Sequence, residues 1–480
     1  TGKGGDILDY SDLLKSAAVN YNGENPFSSG HIKLVQSGKD TLFQFDADGT
    51  GSSTQLLTLA VLANTTASQL LTDNFNPNFP PDGSAAAGQI IQGTANSENL
   101  RGGFGNDTIS GLAGDDTIDG QAGSDTLYGG DGNDNLTGNF GDDTLYGGAG
   151  NDTLTDDQGA NTLDGGDGND NLTAKSLTGN QTLNGGSGRD ILNATGKNVT
   201  LDGGSDNDSL RAEGRIYKTN EYQYTQNGNA SLQGGDGNDN LVVSSYSSAE
   251  IHGGTGDDRL ASGTYSVWES WGDDDQSVQN ARLFGEEGND HLVASLRGGA
   301  ERLTGGDQKL DQSLLLDGGT GNDNLQASTR YSSKRYGNTK IDAKGGDGND
   351  SLNLWSGNTE SGGTTSLNAS GDAGNDNINV SSYQTRSGGT TIINANGGVG
   401  NDTIRINGNY NNGVSNINIS GGSGKDAITV SEDTSGRNNE KTSDYGFRKV
   451  VIDAGADDDT ITVQGSLNTN ITTGSGSDTI

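Results

Sequence analysis

One short string recurs along this chain and carries its most specific chemistry: two glycines, a free position, a third glycine, another free position, then aspartate. Strict GGxGxD occurs eleven times, with its aspartate at 107, 134, 152, 170, 190, 239, 258, 323, 350, 402 and 426. The aspartate offers a hard carboxylate oxygen, and glycines leave room for backbone carbonyls to turn toward the same point. Oxygen donors of both kinds at flexible geometry suit Ca²⁺, which takes six to eight of them, better than Mg²⁺, which wants a strict octahedron and keeps its waters. No Lys-Ser/Thr follows the glycines, so the string is not a phosphate-binding loop.

The elements that must position these residues follow from the period. From Gly102 to Thr155 the units GGFGNDTIS, GLAGDDTID, GQAGSDTLY, GGDGNDNLT, GNFGDDTLY and GGAGNDTLT run without a gap, and a weaker copy, GTANSENLR, precedes them from Gly93. The Leu or Ile two places after each aspartate opens a short strand, and two units make one turn, so units on the same edge stack as a parallel ladder. One edge runs Asp107, Asp125, Asp143, and then meets Asn161, Gln181, Val199, Ala230, Ala249 and Ala281. The other edge runs Asp116, Asp134, Asp152, Asp170, Asp190, Asp208, Asp239, Asp258, Asp290, Asp323, Asp350, Asp376, Asp402, Asp426, Asp459 and Asp478. Cation sites are therefore expected on both edges to about residue 155 and on a single edge beyond it.

Period-two alternation supports the reading. Leu241/Val243, Leu352/Leu354, Ile378/Val380, Ile404/Ile406, Ile428/Val430 and Ile461/Val463 are expected to point inward after the aspartates. A returning strand is expected to end near Leu201, Leu232, Ile251, Leu283, Leu316, Ile341, Leu367, Ile393, Ile419 and Ile452, one side of it facing the core. Residues 303–317 are ambiguous, since GGDQKLDQSL there could be a degraded turn. After 208 the ladder spacing stretches, and the extra residues fall as loops on the acid-free edge. They hold Tyr217, Tyr222, Tyr224, Tyr265, Trp268, Trp271, Tyr331, Tyr336 and Tyr445. These rings read either as covers packed on the strands or as a contact surface for a glycan or a neighbouring molecule.

Composition agrees. The 480 residues include 81 Gly, only 4 Pro, 28% hydrophobic and 5% aromatic residues, too few for several ordinary cores. Asp and Glu number 65 against 28 Lys and Arg, a formal charge of −37. Such a surplus opposes compaction unless cations sit among the carboxylates, and it argues against a nucleic-acid partner. Composition alone would also suit a disordered chain; the unbroken register does not. With no Cys, disulfides cannot supply the missing stability, which leaves a metal. The absence of Met indicates a processed chain or an excised segment, and both ends fall inside a repeat, which suggests continuation or a stacked neighbour. No apolar run reaches the length of a transmembrane segment, and no signal peptide is visible.

This pattern resembles the RTX family, the nonapeptide calcium-binding repeats of bacterial proteins exported by type I secretion. The resemblance implies an all-β, parallel β-roll or β-helix solenoid with Ca²⁺ between successive turns. By position, the ligands would be the carboxylates of Asp107, Asp116, Asp125, Asp134, Asp143 and Asp152 with loop carbonyls. Residues 1–92 resemble, less specifically, the globular block associated with type I secretion target regions, which in the family usually follows the repeats. They are expected to form a small β-rich domain, ahead of a double-edged roll at 93–155 and a one-edged, loop-bearing roll at 156–480. Asp46-Ala47-Asp48-Gly49 reads equally as another Ca²⁺ loop or as a polar hairpin turn.

No catalytic constellation stands out. His31, His252 and His291 read as exposed strand residues without a Ser or Cys partner. Asp273–Asp275 and Glu286/Glu287 read as solvated loops, and Asp459 already has a ladder place. The chain is expected to be an extracellular, non-enzymatic protein with a calcium-dependent structural or adhesive role, as an S-layer, matrix-fibre or adhesin segment. It would fold on Ca²⁺ after secretion, with self-association or neighbouring subunits and a cell-surface glycan as the partners to test. A calcium-folded carrier module of a secreted enzyme or toxin, and a glycan-binding module, are the alternatives.

Overall fold

The computed structural model describes residues 7–10, 13–14, 18, 25–49, 56–70, 74–76, 81, 83, 86–176, 178–214, 217–220, 223–225, 227–263, 280–296, 310–331, 336–359, 362–385, 388–409, 414–433, 448–465 and 468–480. Tyr222, Tyr265, Trp268, Trp271, Asp273–Asp275 and Tyr445 lie outside them, as do the side chains of Tyr217, Tyr224, Tyr331 and Tyr336. The fold is all-β, a parallel β-helix solenoid. Two compact units, Thr1–Lys197 and Asn198–Ile480, divide the chain.

In the first unit each nonapeptide contributes one strand, and strands two repeats apart pair in parallel. Leu127 lies beside both Ile109 and Leu145, and Leu136 beside both Ile118 and Leu154. All six are fully buried. Side chains alternate because a strand has period two, so Thr or Asn before each Leu or Ile faces outward while the apolar residue faces its counterpart in the other sheet. Tyr128 and Tyr146, one turn apart on the outer face, stack at 5.0 Å.

The N-terminal part of this unit is a different structure. Strands Ile32–Ser37, Asp40–Phe45 and Leu57–Leu62 form an antiparallel sheet. Its core gathers Tyr10, Leu14, Ile32, Phe43, Phe45, Leu70 and Phe75, and Phe140, the last residue of strand Asn135–Phe140 in the roll, packs against this cluster. His31 is buried rather than exposed, with Ser29 Oγ 2.9 Å from its Nδ1, because it sits under the turn that follows Asp46.

In the second unit the strands lengthen, reaching the 12 residues of Tyr336–Asp347 and the 9 of Ser351–Thr359. The inward residues expected after the aspartates are buried from Leu241 to Ile461, but Val463, in the last full strand of its sheet, is only half-buried. The returning column needs one correction. Each expected residue is buried, yet they do not form a single column: Leu316 lies beside Ala343, Ile393 beside Ile417, and Ala395 beside Ile419. The column nearest the glycine turn passes through Ala343, Ala369 and Ala395, while Leu314, Ile341, Leu367, Ile393 and Ile417 occupy the next one. Longer strands offer two inward positions where short ones offer one, and the large side chain can stand in either. Of the stretch 303–317, residues 303–309 lie outside the described residues, and 310–317 belong to strand Leu310–Thr320, paired in parallel with its neighbours.

Candidate metal centre

At the strand-to-strand corners the chain must reverse with little room. The fourth loop position has positive φ, as at Gly150 (φ 132) and Gly348 (φ 138), and a Cβ at either would overlap the carbonyl of the glycine one turn earlier. At these two positions that contact favours glycine, although Asp206 (φ 77) and Asp457 (φ 80) hold the same loop place in other turns. The second position is also left-handed but tolerates side chains, as Leu112, Gln121, Asn139, Glu286 and Asp372 show.

Each ladder aspartate is held between two turns. Its backbone N–H donates to Oδ1 of the aspartate one turn later: Asp107 to Asp125 at 2.8 Å, Asp125 to Asp143 at 2.7 Å, and Asp116 to Asp134 at 2.7 Å. The second unit repeats this from Asp208 to Asp239 at 2.6 Å, through Asp350 to Asp376 at 2.8 Å, to Asp459 and Asp478 at 3.0 Å. On the first edge Asn161 Oδ1 accepts from Asp143 at 3.1 Å, and Gln181 lies beside Asn161. In the second unit the acid-free column is Val199, Ala230, Ala249 and Ala281, in register.

The free position before each aspartate builds a second ladder of opposite sense. Asn133 N–H donates to Asp115 Oδ1, Asn151 to Asn133, and Asn169 to Asn151; Asn349 to Asn322, Asn375 to Asn349, and Asn401 to Asn375. Sequence reading passed over this, although the bias to Asn, Asp and Ser at that position was its signal.

Oδ1 is thus committed to the stack, and the second carboxylate oxygen is not. Oδ2 of Asp116, Asp134, Asp152, Asp170, Asp239, Asp258, Asp290, Asp323, Asp350, Asp376, Asp402, Asp426 and Asp459 is buried without a hydrogen-bond donor, as is that of Asp107, Asp125 and Asp143. It faces the space over the first loop glycine, where the next turn's glycine carbonyl also points. Gly253, for example, has both Asp258 Oδ2 and Gly285 O where its Cβ would be. A buried carboxylate oxygen without a donor is costly. Two converging oxygens with no proton between them are what a hard divalent cation satisfies. Among the described residues no group of three or more His, Cys, Asp or Glu side chains gathers at one point, so carbonyls must complete each coordination shell. The donor set therefore fits Ca²⁺.

Crowding shows in the protonation equilibria. Burial pushes Asp125, Asp152, Asp258 and Asp426 up to about 7, against the backbone N–H donors that lower them, with neighbouring ladder carboxylates adding to the rise. Asp323, Asp350 and Asp376 are pushed up to about 6 for the same reasons, and Asp290 to about 6 by burial first, with Asp257 and Glu286 adding to the rise.

Two acids escaped the sequence reading. Glu98, in the weaker copy, takes a ladder place: its N–H donates to Asp116 Oδ1 at 2.8 Å, and its carboxylate turns back to accept from Thr94 N–H at 2.8 Å. Asp156 is fully buried beside Asp143. In the N-terminal block, Asp46 is buried and Asp48 exposed. His252 stands between Glu286 at 2.8 Å and Glu250 at 3.3 Å on the strand surface, and Glu286 and Glu287 are exposed. Among the described residues no helix is long and apolar enough to cross a membrane.

A family model described as the RTX calcium-binding nonapeptide repeat (4 copies) matches residues 92–127, 120–154, 146–176, 179–214, 224–243 and 343–359. No curated protein matches the chain. Among solved structures, the chain is similar to a hyperactive, Ca²⁺-dependent, beta-helical antifreeze protein from an Antarctic bacterium, solved by X-ray crystallography. The two share 20% identity over 73% of this chain and 85% of that one, with a TM-score of 0.33.

Proposed function

This chain carries RTX calcium-binding nonapeptide repeats, and from that premise we propose that it is a secreted, non-enzymatic structural or adhesive protein whose folding is driven by Ca²⁺ outside the cell. The observation that carries the reading is the buried aspartate column with unpartnered Oδ2 atoms, continued from Asp239 to Asp459 while the opposite column turns apolar. Each ion would be held by the Oδ2 atoms of the ladder aspartates named above and by loop glycine carbonyls. Its charge would neutralise carboxylates that otherwise repel one another.

A chain with −37 formal charge and 28% hydrophobic residues cannot offset its ordering entropy, about 1–2 kcal/mol per residue, from apolar burial alone. Ions bound only in the folded state make binding and folding one event. In a calcium-poor cytosol the chain would remain unfolded and exportable; in millimolar-range Ca²⁺ it would become a rigid solenoid. Investment in long strands such as Leu310–Thr320 and Tyr336–Asp347 favours a load-bearing role over that of a carrier module. Sedimentation and electron microscopy with and without Ca²⁺ test this. Calcium-dependent ordered assembly or surface attachment is expected; a chain that stays monomeric and attaches to nothing in Ca²⁺ would contradict it.

Glycan binding is the second reading, favoured by one surface feature. A depression of about 720 Å³ on the outer face of the second unit is lined by Asp342, Asn368, Asn394 and Asn418, whose amides bond in sequence at 2.6, 2.6 and 2.8 Å. Binding to a glycan array, lost in Asn394→Leu, would support it.

A further inference from the structure

The first edge ends in an unusual way. Its loops open at Gly102, Gly120 and Gly138, and the register then brings Asp156, Ala174 and Ala194 to the same position in the following turns. Asp156 therefore stands at the junction between the glycine loops and the apolar column that replaces them. It is 0% exposed. Its Oδ1 accepts from Gln158 N–H at 3.1 Å, and its Oδ2 has no donor.

What that oxygen faces is specific. Over Gly102 and Gly120 the space left by the missing Cβ is shared by the loop's own aspartate Oδ2 and the next turn's glycine carbonyl. Over Gly138 the same space is shared by Asp143 Oδ2 and Asp156 Oδ2. A carboxylate oxygen has taken the carbonyl's place. The loop that follows, 157–161, lacks the paired glycines, and Asn161 keeps only the stacking bond to Asp143 N–H. Without Asp156 this last turn would lose one carboxylate of the ladder and gain nothing for it. Two buried carboxylate oxygens converge there, and neither receives a donor from elsewhere in the chain.

We infer that Asp143 and Asp156 form a two-carboxylate Ca²⁺ site that closes the first edge of the roll and lies outside the nonapeptide template. This rests on the calcium-ladder reading. Carboxylate count raises calcium affinity, so this site should hold its ion longest of those on its edge. The competing explanation is that the two carboxyls share a proton and bind no metal.

The test counts ions on the full chain by native mass spectrometry during chelator competition. Two variants are compared with the parent: Asp156→Asn, which keeps the shape, and Asp156→Ala, which copies the residue one turn later and so suits the fold. Each should carry one Ca²⁺ fewer than the parent, with unchanged circular dichroism in saturating Ca²⁺ and all other ions released at the same chelator concentrations. An unchanged ion count and release profile in both variants overturns the site and leaves the ladder standing. A parent that binds no calcium overturns the ladder reading itself.

Discussion

A ladder aspartate does two jobs with two oxygens, and substitution can separate them. Asp350→Asn keeps an Oδ1 acceptor for Asp323 N–H while removing the charge that Oδ2 carries. In chelator such a variant should keep more residual β structure than the parent, because a desolvated carboxylate is gone. In saturating Ca²⁺ it should be less stable and bind at least one ion fewer; circular dichroism in chelator, melts in Ca²⁺ and calcium counts check both signs. Gly348→Ala acts differently. Its φ of 138 and the carbonyl of Gly321 leave no room for a Cβ, so a loss of about 2–4 kcal/mol is expected from strain plus overpacking in saturating Ca²⁺, with the ion count unchanged. At this scale the sequence was readable wherever the template was strict. Asp156 escaped because it stands at a glycine position, which the template reads as a lost repeat rather than a gained ligand. Glu98 escaped because Glu replaced Asp in a weak copy.

At the scale of strands and edges, the period of 18 and the inward Leu and Ile follow from alternation, and the parallel register agrees with them. The slip at Leu316 and Ala343 was not legible, because a long strand has two inward places and hydrophobicity alone does not say which one a large residue takes. Nor was the Asn ladder, since a solvent-side amide pattern looks like an ordinary polar loop until the turns are stacked. Contacts here are between neighbouring turns, so damage should spread locally. Leu352, fully buried between Leu325 and Ile378, is a fair probe. Leu352→Ala should cost about 2–5 kcal/mol, and hydrogen exchange should rise first in strands Asn324–Tyr331, Ser351–Thr359 and Asn377–Thr385.

For the whole molecule, charge decides. With ladder carboxyls raised to about 6 or 7 in the folded chain from an ordinary value of 3.8, the folded state holds more protons than the unfolded state between those limits. Stability without calcium must therefore fall as pH rises from about 4 to about 7. In chelator the chain should keep more of its β-type circular dichroism at pH 5 than at pH 8, and Ca²⁺ affinity should rise from pH 5 to pH 8, because binding displaces those protons. More β-type signal at pH 8 than at pH 5 in chelator would run against this account. The central claim is that calcium binding and folding of the solenoid are one event, and far-ultraviolet circular dichroism of the intact chain at pH 8 tests it most directly. Excess chelator should abolish the β-type signal and millimolar Ca²⁺ should restore it; a spectrum unchanged by chelator would contradict the account.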